Sequence, residues 1–301
     1  MEKRNILITG ATGFLGSRVL EMLVERGYGA VVLKRSFSDT WRIGKGLLGK
    51  VAAYDIDKTG LEKPFAENRI DAVVHTATSY GRSGESASRI AETNLLFPLK
   101  LLELALANKA GAFINTDTVL PESLNFYAMS KRQFAAYAKK LCGGRGCRMK
   151  FINLGLEHMY GPKDNGTRFV PRLINAMLSG EPSIDLTEGR QRRDFIYIDD
   201  VAGAYATVLS SIGKFGEGFS ELDVGTGKPI EIRELAMLVK ELCNAKTELL
   251  FGAIPYREGE VMESTAKSGR LRELGWKANT NIKEGLEKTI EWSRGNRHGR
   301  A

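Results

Sequence analysis

A doubly wound α/β fold, a parallel sheet covered by helices on both faces and followed by a smaller α/β domain, is predicted for this 301-residue chain. Three observations predict it. Short runs rich in Val, Ile and Ala alternate with longer amphipathic stretches, the pattern of repeated strand–helix units whose strands are buried on both faces. The first such run leads straight into a glycine-rich turn and then a helix. A Tyr-Ala-Met-Ser-Lys segment, Tyr127 to Lys131, falls on a later helix at the distance such folds place catalytic groups. No internal repeat or low-complexity stretch is present.

Residues 5–9 read as a buried strand, followed by Gly10-Ala11-Thr12-Gly13-Phe14-Leu15-Gly16 and a helix over 17–26 that stops at Gly27, where a C-terminal glycine is expected. Gly10 permits the tight turn, Gly13 lets backbone N–H groups approach a pyrophosphate, and Gly16 allows close helix–strand packing. The pyrophosphate would rest on the helix N-terminus, where free N–H groups and the dipole favour an anion. Strands follow at 30–33, 51–54 and 72–75, then a helix over 90–108, a strand at 112–114, the Tyr127 helix to about 141 and a strand at 150–154. The expected organisation is a dinucleotide-binding domain over 1–155, to which segments near 195–228 return, and a substrate-binding domain over 156–301.

Cofactor choice is read at the end of the second strand. An acidic residue there suits the ribose 2′-hydroxyl of NAD, a basic one the 2′-phosphate of NADP. Lys34 and Arg35 stand there, with no acid before Asp39, so NADP is expected ahead of NAD.

Bulk properties bound the partners. Met1-Glu2-Lys3-Arg4 runs into the first strand without a signal-peptide pattern, and no apolar run approaches the ~20 residues that span a bilayer. Three cysteines, Cys142, Cys147 and Cys243, match no metal spacing and cannot all pair, which suggests a reducing cytoplasm. The net charge is +8, yet the basic residues are dispersed without interleaved aromatics. An anionic nucleotide substrate explains the excess, and neither nucleic acid nor membrane is expected as a partner. Residues 294–300 read as a solvated, frayed terminus.

Tyr127 and Lys131, at i and i+4, share a helix face. An ordinary tyrosine titrates near ~10. A lysine ammonium beside it favours the phenolate and makes it usable in acid–base chemistry at neutral pH. Tyr-x-x-x-Lys alone is common helix surface, and the preceding nucleotide turn is what gives it meaning.

The Gly-x-x-Gly-x-x-Gly spacing together with Tyr-x-x-x-Lys resembles the extended short-chain dehydrogenase/reductase superfamily, specifically its NAD-dependent epimerase/dehydratase family, over nearly the whole chain. The resemblance implies a Rossmann-type first domain and a catalytic set of Thr116, Tyr127 and Lys131, supported by Asn94. It implies that Asp55 holds the adenine amino group with Ile56 beside it, and that Thr76 and Ala77 after His75 line the cofactor. His75 itself reads as structural or backbone-lining. In the second half His158, in His-Met-Tyr-Gly-Pro, replaces a family Asn that contacts substrate. Arg193, in Arg-Asp-Phe-Ile-Tyr-Ile-Asp-Asp-Val, and Arg257, in Arg-Glu-Gly-Glu, match arginines that approach the nucleotide and its diphosphate, a task suited to the guanidinium fork. Asp199 and Asp200 read as caps of the next helix, and Leu274-Gly275-Trp276 with the last helix as structural.

Two departures narrow the activity. Sugar-nucleotide 4,6-dehydratases carry Thr-Asp-Glu where this chain has Thr116-Asp117-Thr118, so the second carboxylate needed for elimination is missing. Asp117 could still donate or hold a hydrogen bond near the reacting carbons. Leu120-Pro121 replaces the family's Tyr-Gly, and the loop to Tyr127 is short, as in enzymes resembling CDP-paratose and CDP-abequose synthases. The implied activity is reduction of a 4-keto-6-deoxyhexose nucleotide by a homodimer. The competing expectations are a C4 epimerase with tightly held NAD and a non-catalytic dinucleotide sensor.

Overall fold

The computed structural model describes residues 4–44 and 46–296, so most of the expected 294–300 tail lies outside the described residues. The described chain forms two compact units. The first holds the residues up to Leu156 with Ala202–Asp223 and Glu273–Gly275; the second holds Glu157–Val201, Val224–Arg272 and the residues from Trp276 on.

In the first unit, strands β1 (Asn5–Thr9), β2 (Gly29–Lys34), β3 (Ala52–Asp55), β4 (Ala72–His75), β5 (Ala112–Thr118) and β6 (Lys150–Leu156) alternate with helices. These are α1 (Phe14–Glu25), α2 (Ile56–Thr59), α3 (Glu62–Glu67), α4 (Ala87–Ala91), α5 (Phe97–Ala107) and α6 (Phe126–Cys142). The six strands pair parallel in the order β6-β5-β4-β1-β2-β3, and strand Gly218–Val224 joins beside β6. The order reverses between β1 and β4, which opens a crevice beyond their carboxyl ends. The apolar strand runs are buried because helices cover both faces. Phe113 and Phe151 stack at 5.3 Å between ring centroids, and Phe134 of α6 meets Phe151 edge-on, fixing α6 against β5 and β6.

Two helices depart from expectation. α1 begins at Phe14, not residue 17, because Gly13 already serves as its N-cap. The helix expected over 90–108 is interrupted by a π-helical turn at Glu92–Leu96. Pro98 lies just beyond it and cannot donate to the carbonyl of Asn94, four residues earlier, so the regular ladder fails there.

In the second unit, His158–Tyr160 pairs parallel with Phe195–Tyr197, and Arg192–Arg193 lies between Ile230–Glu231 and Glu263–Ser264. The Asp200 carboxylate accepts from the backbone N–H of Asn279 and Thr280, and its carbonyl accepts from Trp276 Nε1. Asp200 is thus not a cap of the helix at Ile198–Ser210, as the sequence suggests; it sits inside that helix's first turn and anchors the 276–281 loop. Among the described residues no helix is long and apolar enough to cross a membrane.

Candidate active site

The turn after β1 is shaped for a close-lying anion. Gly10 has φ of 71°, and a Cβ there would come within 2.5 Å of the Ala77 nitrogen. A Cβ on Gly16 would collide with the Gly10 carbonyl, so helix and strand meet only because both residues are glycine. No side chain caps α1 and its first turn holds no acid, which leaves the helix N-terminus to a ligand. Thr12 is half-buried in the turn, and Phe14 and Leu15 are buried in the first turn of α1. Thr76, after β4, donates to the Thr9 carbonyl at 2.7 Å and presses against Gly10 and Gly16, while Ala77 beside it remains half-buried. These residues fit a dinucleotide.

His75 is fully buried among Phe97, Phe113 and Phe134, and its Nδ1 lies 2.8 Å from Thr9 Oγ1. Burial, then the nearby Lys131 charge, holds its pKa well below the ordinary range, so the ring is neutral. Its place is beside the crevice and its role in packing agrees with the structural reading.

At the adenosine end the Lys34 ammonium is ion-paired with one carboxylate oxygen of Asp55, so a 2′-phosphate would compete with Asp55 for it, while the second Asp55 oxygen can still accept from an adenine amino group. The parallel pairing of β2 with β3 places the two residues opposite each other, a contact invisible in sequence. Ile56 opens α2 beside them, half-buried. Ser36 donates from both N–H and hydroxyl to the Asp57 carboxylate, so an anion stands next to Arg35, whose guanidinium lies 4.7 Å from the Phe37 ring centre.

β5 and α6 carry the catalytic candidates. α6 buries Ala128, Lys131, Phe134, Ala138 and Cys142, one stripe at helical spacing, so the same periodicity that builds the core draws Lys131 inward. Lys131 is 1% exposed and its Nζ has no hydrogen-bond partner among the described residues. Burial lowers its pKa to about 8, opposed by the charge of Asp117. Tyr127, one edge of the helix away, is half-buried with its ring 4.8 Å from that of Tyr80. Thr116 Oγ1 lies 2.6 Å from the hydroxyl of Tyr205, a fully buried residue in no recognisable motif.

Asp117 is not aimed at a substrate. Its carboxylate accepts from Asn153 Nδ2 at 2.8 Å and from the Thr118 N–H at 2.7 Å, and pairs with Arg132 at 3.4 Å. Asn153 and Arg132 also reach Glu221, so Asp117 belongs to a closed polar network. Asn94, on the π-helical turn, donates to the Ser79 carbonyl and to Ser130 Oγ, and accepts from Ser79 N–H and Thr78. Ser130 donates on to the Tyr127 carbonyl, tying the start of α6 to that turn.

In the second unit Arg193 and Arg257 are brought together on one carboxylate, Glu260. Arg193 is 6% exposed, whereas Arg257 is exposed. His158 rests on Phe195 with its Nδ1 3.2 Å from buried Glu157, which also accepts from Ser264. Sequence reasoning missed Glu260 as their common partner, although it stands three residues after Arg257.

A nucleotide-shaped glycine turn with a Thr on β5 and a Tyr and a buried Lys on α6 defines an enzyme of the extended short-chain dehydrogenase/reductase class. Residues 6–218 match the NAD dependent epimerase/dehydratase family, and the chain belongs to that family. It is 36% identical to a CDP-abequose synthase of Salmonella muenchen, over 95% of this chain and 97% of that protein. Among solved structures it is similar to UDP-glucose 4-epimerase of Thermotoga maritima with UDP-glucose: TM-score 0.84, 26% identity, 98% of this chain and 100% of that one. It is also similar to the NAD complex of UDP-glucose 4-epimerase from Thermus thermophilus, with TM-score 0.81, 28% identity and coverage of 97% and 99%.

Proposed function

We propose that the enzyme reduces the C4 carbonyl of a 4-keto-6-deoxyhexose carried on a nucleoside diphosphate. The observation that carries this is the state of Asp117. It is the only carboxylate in Thr116-Asp117-Thr118, and its oxygens are engaged by Asn153, Arg132 and a backbone N–H. Elimination of water needs a carboxylate free to take a substrate proton. Without one, the strand end offers a hydroxyl and a phenol, which suit proton delivery to a ketone oxygen. The 36% identity to a CDP-abequose synthase supports the same reading.

Thr116 and Tyr127 hydrogen-bond the ketone oxygen, and Tyr127 gives it a proton. Lys131 stabilises the phenolate that remains. Asn94, through Ser130, holds the first turn of α6 in place. The bound reduced nicotinamide supplies the hydride. Arg193 and Arg257 are the diphosphate-binding groups, released from Glu260 by the competing anion, and His158 contacts the sugar or a phosphate. The NADP reading rests on Arg35 and on Lys34, for which a 2′-phosphate would have to compete with Asp55.

A homodimer is supported by α6. Phe126, Met129, Tyr137 and Leu141 recur on one helix face at 58%, 36%, 54% and 38% exposure, an apolar stripe suited to a second copy of itself. Cys142, Cys147 and Cys243 form no disulfide among the described residues, which suits the cytoplasm.

The test begins with the mass spectrum of any nucleotide that copurifies, followed by NADH and NADPH titrations. CDP- and dTDP-linked 4-keto-6-deoxyglucose are then added with reduced cofactor. One NAD(P)H consumed per sugar reduced is the expected result. A retained NAD, with C4 epimers interconverted and no net consumption, replaces the reductase with the epimerase that the Thermotoga maritima likeness favours.

A further inference from the structure

We infer that Tyr205 is a positioning residue that donates its phenolic proton to Thr116 Oγ1, leaving the threonine's own proton to be donated to the reacting oxygen. This rests on the reading of Thr116 as the hydroxyl that binds the substrate ketone.

Counting donors and acceptors fixes the direction of this bond. A hydroxyl donates once and accepts up to twice. Tyr205 is wholly enclosed on the helix Ile198–Ser210, and among the described residues Thr116 is its one hydrogen-bond partner, at 2.6 Å. If Thr116 were the donor, the Tyr205 proton would be buried without an acceptor, an arrangement folded proteins avoid. A phenol is also far more acidic than an aliphatic alcohol, so in a bond between the two the phenol donates. Burial pushes the Tyr205 pKa up, and the group keeps its proton throughout the neutral range.

With the direction fixed, Thr116 has one lone pair filled and one proton to place. No acceptor for that proton exists among the described residues, and Thr116 is half-exposed where β5 ends. The proton is therefore held ready for a ligand. A ketone oxygen only accepts, so a threonine whose hydroxyl turned inward would be useless to it. Tyr205 blocks that rotamer. Leu120-Pro121, where a substrate-side tyrosine is usual in the family, leaves Thr116 and Tyr127 as the donors near the strand end, which makes the orientation of Thr116 matter more here.

The experiment is a double-mutant cycle of Tyr205→Phe and Thr116→Val with the 4-keto-6-deoxy sugar nucleotide and NAD(P)H. Tyr205→Phe is expected to lower kcat on the order of tenfold with little change in KM in the native background, and to change nothing once Thr116 is Val. Thr116→Ser retains a hydroxyl for the phenol to bond and should retain the sensitivity to Tyr205→Phe that Thr116→Val loses. Equal losses in both backgrounds, or no loss in the native one, overturn the inference while leaving Thr116 in its role. A fully active Thr116→Val overturns the role of Thr116 and the inference with it. Proton NMR supplies a readout that needs no turnover. A slowly exchanging phenolic resonance, absent in Tyr205→Phe, should shift or broaden in Thr116→Val. A Tyr205 resonance indifferent to Thr116→Val overturns the inference.

Discussion

Lys131 in the first unit and Asp194 in the second are both buried ions, 1% and 0% exposed, yet they are housed in opposite ways. Asp194 accepts from Thr226 N–H and hydroxyl, Gly227 N–H and Ala266 N–H, so two segments of the second unit engage both carboxylate oxygens. The Lys131 ammonium has no hydrogen bond among the described residues and feels Asp117 only through space. A charge that holds a fold together brings its partners with it. A charge kept for a ligand is buried with its bonds unmade, and the fold bears the cost.

The largest effect separating the two ions should be kinetic. Tyr127→Phe removes the phenol that Lys131 serves and should lower kcat about 10²- to 10⁴-fold, the range for a lost general acid, with the melting temperature unchanged. Full turnover in a stopped assay would remove the functional side of the contrast altogether.

Next is the structural side. Asp194→Ala strands four donors on two segments, at 226–227 and 266, and should cost roughly 2–4 kcal/mol in urea unfolding, the scale for buried polar groups left unsatisfied. A cost under about 1 kcal/mol would mean the two segments do not depend on it.

Lys131→Met should do the reverse and stabilise the cofactor-free protein at neutral pH, by on the order of 3 kcal/mol for a pKa brought from 10.5 to about 8. The sign follows from linkage. Between about 8 and 10.5 the unfolded chain binds the proton that the folded one has released. Native stability therefore rises with pH through that window, and the penalty is fully present below it. Melting curves of the native enzyme and Lys131→Met at pH 7 and pH 9 should converge as pH rises. A gap that widens instead would show that Lys131 is compensated after all.

The smallest effect tests the cofactor end. Arg35→Ala should weaken NADPH binding about tenfold relative to NADH, ~1.4 kcal/mol for one exposed contact to a phosphate. Unchanged relative affinity in fluorescence titration would assign the site to NAD.

Much of this could be read before any coordinates. The glycine turn, the alternating strands and helices and the inward stripe of α6 are local patterns, legible because helix and strand periods are properties of the backbone. The α1 start is not legible because a glycine N-cap carries no side-chain signal. Pro98 is visible, but the π-helical turn it accompanies depends on what Asn94 binds across the loop at Ser79 and Thr78. Lys34 reads as a phosphate ligand because its partner, Asp55, is 21 residues away and meets it only through the β2–β3 register. Asp117 reads as a candidate acid for the same reason: Asn153 and Arg132 arrive from β6 and α6.

Local patterns thus reveal which groups exist and which backbone element carries each: a nucleotide turn after β1, a Thr near the end of β5, and a Tyr and Lys one turn apart on α6. Which of those groups are already engaged depends on contacts made in the folded chain. Pairing of distant strands neutralised Lys34 and enclosed Asp117, and a helix some 90 residues downstream set Tyr205 against Thr116. Hydrogen bonds and ion pairs act over a few ångströms, and chain separation says nothing about such distances until the sheet has been assembled.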